Sequence, residues 1–160
     1  MLHLSGAHLA AREGRTADAD THLTEARQLA KTTGERNAYR YHFGPANVAA
    51  WSLSIAVELE RGPSVVDSLD ASPATLAALD SADRRAGFYL DLSRAYAQSG
   101  GDRDSVALQC IDTADRIAPT RIRNDPIARD LVITLDRRAR RRVWELDSLR
   151  HRFGVERAKP

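Results

Sequence analysis

The sharpest chemical feature of the sequence is the run Arg137-Arg138-Ala139-Arg140-Arg141-Arg142. Five guanidinium groups in six positions are the right material for a phosphate-binding face, which would release counterions and bind with a steep salt dependence. The apolar spacing argues for something plainer. Leu131, Leu135, Ala139 and Val143 recur every four residues, as one stripe of a helix continuing through the run. Most of the arginines then project from a solvated face, with Asp130, Asp136 and Glu145 as partners. The solvated face is the expected reading, and phosphate contact the alternative.

Other reactive residue types do not assemble into a mechanism. His3, His8, His22, His42 and His151 include no pair four residues apart and no glutamate placed as in a helical zinc motif, so no metal is expected. Cys110 is the single cysteine, has no nearby His or Arg in sequence to lower its pKa, and excludes an internal disulfide. No serine lies in a Gly-x-Ser-x-Gly elbow and no glycine-rich loop precedes Lys-Ser/Thr. The chain is therefore expected to be non-enzymatic and without a cofactor. Tyr39-Arg40-Tyr41-His42-Phe43 could stack on a peptide or aromatic ligand, although packing against a central helix is the more ordinary use of such rings.

The elements that must position these groups are helical. Alternating strand patterns are missing, whereas apolar residues recur at three- and four-residue spacing between Gly and Pro breakers. With 160 residues, 42% of them hydrophobic and 29% charged, the chain is expected to fold as a single domain, residues 1–160. No apolar run reaches the roughly 20 residues of a membrane span, and the N-terminal residues do not read as a secretory signal, so no membrane contact and a cytoplasmic location are expected. The net charge of +2 hides an uneven distribution. Residues 120–160 hold 12 basic against 6 acidic side chains.

Two segments repeat. Ala7, Ala10 and Gly14 lead to Ala19, Leu23, Ala26 and Leu29, while Ser93, Tyr96 and Gly100 lead to Ala107, Ile111, Ala114 and Ile117. Small residues at Ala7 and Ala19, or Ser93 and Ala107, let antiparallel helices approach closely, and Gly14 and Gly100 supply the turn. These segments resemble tetratricopeptide (TPR) repeats. Asn47–Arg61 with the short stretch after Gly62-Pro63 reads as a degenerate third pair whose first helix, carrying Val48, Trp51, Leu53, Ile55 and Leu59, should be the most buried. Ser72-Pro73 begins another short helix, and Asp125-Pro126 begins a helix through Leu131, Val132 and Leu135. Trp144, Leu146, Leu149 and Phe153 supply a last apolar face. The expected fold is all-α, a TPR-like stack of antiparallel helix pairs with C-terminal capping helices.

A wider resemblance covers most of the chain. Phe43-Gly44-Pro45-Ala46-Asn47-Val48, Ser54-Ile55-Ala56-Val57-Glu58-Leu59, Leu90 to Gln98 and Arg152-Phe153-Gly154-Val155 resemble the C-terminal region of actinobacterial XRE-type helix-turn-helix transcriptional regulators. The resemblance implies a TPR-like part that senses a ligand or partner, with DNA contacted only through a separate domain. The sequence starts within the first TPR-like helix, so it is expected to be a fragment or a stand-alone descendant. Carrying TPR positions across puts Leu4, His8, Ala11 and Arg12, then Ser52, Ala56 and Leu59, then Leu90, Arg94, Ala97 and Gln98 on the concave face. The groove candidates are His8, Arg12, Tyr41, Asn47, Arg94 and Gln98, suited to a peptide, a protein or a small signal molecule. A nucleic-acid binder using the basic C-terminal helix and an interaction scaffold, dimerising through its terminal helices, are the alternatives.

Overall fold

The computed structural model describes residues 1–36, 42–69, 71–141 and 143–156. It is all-α: the described residues contain no strand, only an isolated bridge between Arg36 and Phe43. The chain divides into two compact units, Met1–Ser81 and Ala82–Pro160, each with its own apolar core.

In the first unit α1 (Leu2–Arg12) and α2 (Thr16–Thr33) form a hairpin. Ala7, Ala10, Ala11, Ala19, Ala26 and Ala30 are buried where the helices meet, around Leu4 and Leu23. Methyl-sized side chains let two backbones come together without voids. Gly14 closes α1 at φ +70°, with Arg15 N–H donating to Ala10 O at 2.8 Å and Gly14 N–H to Ala11 O at 3.0 Å. That double bond pattern is a Schellman closure. The expected stripe slips at one position: Leu29 is 46% exposed and Ala30 is buried, because 19, 23, 26 and 30 follow a helical stripe and 29 leaves it.

The third helix, α3 (Pro45–Glu58), buries Ala46, Asn47, Val48, Leu53, Ile55, Ala56 and Val57, a larger share of its length than α1 or α2. Its N-terminus lacks a local capping side chain. Glu35 supplies one from the end of α2, its Oε1 accepting from Ala46 N–H at 2.7 Å. Gly44 permits this approach, since a Cβ there would lie 2.1 Å from the Glu35 carboxylate and 2.8 Å from its Cα. The exit of α3 repeats the Schellman closure of α1, with Arg61 N–H on Ala56 O and Glu60 N–H on Val57 O. The left-handed residue is now Glu60, at φ +58°. Short helices α4 (Gly62–Val65) and α5 (Pro73–Ala78) follow, the latter capped by Ser72 Oγ accepting from Thr75 N–H.

The second unit opens with the longer hairpin, α6 (Ala82–Ser99) and α7 (Asp104–Ile117), turned through Gly100 at φ +68°. Ser93 is fully buried and satisfied, donating to Ala107 O at 2.6 Å. Then come α8 (Pro119–Arg123), α9 (Pro126–Arg138) and α10 (Trp144–Phe153). Asp125 caps α9, its Oδ1 accepting from Ile127 N–H at 2.8 Å and Ala128 N–H at 3.4 Å. Leu146, Leu149 and Phe153 enter the core, whereas Trp144 stays 70% exposed.

The closure of α3 generates a prediction. A side chain at a left-handed position carries a cost that glycine avoids. Replacing Glu60 with Gly should therefore raise stability by up to about 1 kcal/mol, seen as a higher urea midpoint at unchanged slope. A lower midpoint would contradict the assigned conformation.

Candidate functional site

The arginine run does not lie on one helix face. The expected continuation to Val143 is wrong: α9 ends at Arg138, Ala139 takes extended backbone at ψ 113°, and Val143 is 40% exposed rather than part of a buried stripe. Arginines three and four positions apart repel along a helix. Arg138 moreover finds partners outside its own helix, donating to Ala97 O at 2.7 Å and sitting 3.6 Å from Asp104 Oδ1. Arg137 lines a separate hollow with Arg129 and Asp136. Arg140 and Arg141 lie on the segment between α9 and α10, and Arg142 is outside the described residues.

That early helix end opens a pocket of about 640 Å³ in the second unit. One wall is the turn into α7, with Asp102 and Asp104; another is the segment after α9, with Arg140 and Arg141; α10 contributes Glu145. The apolar lining comes from Leu108, Leu135, Leu146, Ala139 and Val143. Its volume is within the range of small-molecule sites, and its walls combine an apolar patch with charged groups of both signs.

The walls are held by a buried carboxylate. Asp115 on α7 has no exposed side-chain surface and accepts from Arg123 Nε at 2.6 Å and Nη2 at 3.1 Å. It also accepts from Arg152 on α10, whose second nitrogen reaches Asp112. The carboxylate of Asp115 holds the Arg123 guanidinium above its ordinary pKa. Arg150 joins Asp136 on α9 to α10 at 3.3 Å. Acidic side chains on α7 and α9 thus fix α10, and with it one side of the pocket.

The groove candidates fall elsewhere. In the first unit His8 is half-buried and meets Trp51 edge-on at 5.6 Å, Arg12 is exposed on the last turn of α1, and Asn47 is buried, donating to Met1 Sδ at 3.7 Å. In the second unit Arg94 is half-buried beside Asp91 at 3.1 Å and Gln98 is exposed. Tyr41, with Tyr39 and Arg40, lies outside the described residues; Phe43 packs against the core of the first unit. Leu4, Ala11, Leu90 and Ala97, assigned to a concave face by their repeat positions, are buried in helix contacts.

Sequence reasoning missed Asp115, although its signal was present: an acid four residues after Ile111 sits on the apolar stripe of α7. It also missed the His3 and His22 pair, which the α1–α2 hairpin brings to 3.2 Å between Nδ1 atoms. No group of three or more His, Cys, Asp or Glu side chains converges as a metal site among the described residues. No described helix is long and apolar enough to cross a membrane. No family model, curated protein or solved structure matches the chain.

Two predictions follow from these environments. Replacing Asp115 with Ala removes the acceptor shared by Arg123 and Arg152, which keep solvent and Asp112 as alternatives, and should cost about 2 kcal/mol in chemical denaturation. A change below about 0.5 kcal/mol, the size of an ordinary surface substitution, would remove its structural role. Burial pushes the Cys110 thiol up to about 11 from its ordinary 9.0. Less thiolate is present at pH 8, so iodoacetamide should modify native Cys110 far more slowly than the unfolded chain. Linkage has the matching sign: a raised folded pKa adds stability below pH 9.0 that is lost between pH 9.0 and about 11. Cys110→Ala should flatten that part of the stability profile, and an equal decline in the variant would contradict the assignment.

Proposed function

We propose that the chain is a non-enzymatic, TPR-like regulatory domain of a helix-turn-helix transcriptional regulator, which binds a small signal molecule, peptide or protein partner. The observation that carries this reading is the second unit's pocket, an apolar hollow with charged groups of both signs on its walls. It is supported by the repeated use of helix, Schellman closure and helix in the first unit, which is the local build of a TPR-type pair. The resemblance to XRE-type regulators supplies the regulatory context.

The nucleic-acid alternative loses support from the same geometry. Arg123, Arg150 and Arg152 are engaged with aspartates, and Arg138 with a backbone carbonyl and Asp104. Four of the twelve cations of the basic end are thus turned toward protein acids rather than grouped on one phosphate-tracking face. The chain should therefore bind duplex DNA weakly and without sequence preference. Fluorescence anisotropy with a promoter fragment and a scrambled duplex, from roughly 50 to 200 mM salt, tests this over a range in which multi-phosphate binding falls by orders of magnitude. A sequence-selective complex surviving the higher salt would replace the regulatory reading with the nucleic-acid one. An in-frame helix-turn-helix module encoded upstream of residue 1 would support the regulatory reading from an independent side.

A further inference from the structure

The pocket beside α7 and α10 carries charges of both signs, of which Arg138 and Asp104 come together at 3.6 Å. Asp102 is exposed on the turn into α7, and Asp104 keeps Oδ1 buried without a hydrogen bond among the described residues. Arg140 and Arg141 are exposed on the segment after α9, and no described ion pair or hydrogen bond engages either. Leu108, Leu135 and Leu146 line the same space. The hollow between α2 and α3 in the first unit is a useful contrast. There the charges are closed on protein partners, Arg61 on Asp20 at 3.0 Å and Arg27 on Ser52 at 3.3 Å.

Opposite charges lining one pocket pair with each other when the backbone lets them. Here that pairing stops at Arg138 and Asp104: Asp102 is fixed by the turn at Gly100, Arg140 and Arg141 by the chain's departure from α9 after Arg138, and no described ion pair joins these three. A pocket with carboxylates on one wall, guanidinium groups on another and leucine in the lining is complementary to a molecule of the same polarity. We propose that this pocket binds a zwitterionic amphiphile, with an aliphatic segment on Leu108, Leu135 and Leu146, a carboxylate at Arg140 and Arg141, and an ammonium group at Asp102 and Asp104. The inference rests on the ligand-binding reading above and names the ligand class of that site. Guanidinium and carboxylate bonds are charge-assisted, so each end adds affinity as well as orientation.

Calorimetry on the full chain with three probes of one length tests it: 8-aminooctanoate, octanoate and octylammonium. The zwitterion should bind at least about ten-fold more tightly than either singly charged probe. Arg140→Gln with Arg141→Gln should reduce its affinity to that of octylammonium, and Asp102→Asn with Asp104→Asn to that of octanoate. Circular dichroism and the melting temperature check that each variant is folded, and Arg140→Lys with Arg141→Lys, which keeps the charge, should retain most of the binding. Equal affinity for all three probes would reduce the site to an apolar hollow and overturn the proposal. So would absence of binding, or a zwitterion preference that survives both double substitutions. These failures differ from failure of the regulatory reading, which shows as a sequence-selective DNA complex.

Discussion

The second unit depends on one buried charge. Asp115 sits where the apolar stripe of α7 should carry a methyl group, and its carboxylate accepts hydrogen bonds from two guanidinium groups, of α8 and α10. Removing a carboxylate from water is expensive, and a buried ion pair often contributes less to stability than apolar residues of the same size. What such a pair adds is register. Leucine and phenylalanine on α10 can pack at several azimuths against α9, but only one brings Arg152 to Asp112 and Asp115 while Arg150 reaches Asp136. The position of Leu146 and Glu145 on the pocket wall follows from that choice.

The first unit solves its packing differently. Alanines at the contacts of α1 and α2 carry no charge and little shape, so close approach supplies the stabilisation and the turns supply the direction. The same hydrogen-bond closure ends α1 and α3, once with Gly14 and once with Glu60. A left-handed glutamate in that place explains why the third pair reads as degenerate from sequence: its geometry is kept while its glycine is lost. Glu35 plays a comparable part at the other end of α3, giving from a distance the acceptor that Gly44 cannot provide.

Much of this was legible. Small residues at Ala7, Ala19, Ser93 and Ala107 marked the helix contacts, Gly14 and Gly100 marked the turns, and Ser72 and Asp125 marked the starts of α5 and α9. These are local signals, decided within a few residues. Leu29 and Ala30 compete for one stripe, and the facing helix decides which of the two is buried. Trp144 shows that apolar character is not burial, since the first turn of α10 leaves it in solvent. The cap from Glu35 reaches 11 positions along the chain and the pairing of Asp115 with Arg152 spans 37, so neither is a signal of the local sequence.

The pocket escaped for a related reason. A stripe of Leu131, Leu135, Ala139 and Val143 satisfies helical periodicity, and periodicity alone extends α9 through the arginines. Periodicity ignores the repulsion among those arginines and the competing carbonyl of Ala97, which captures Arg138 from another helix. Once the helix stops, chemically identical side chains separate: Arg137 faces one hollow, while Arg138, Arg140 and Arg141 line another, where Arg138 alone is paired, with Asp104. A run of like charge in sequence therefore divides between two hollows in space. The function of such a run is set less by how many arginines it holds than by where the backbone stops being a helix.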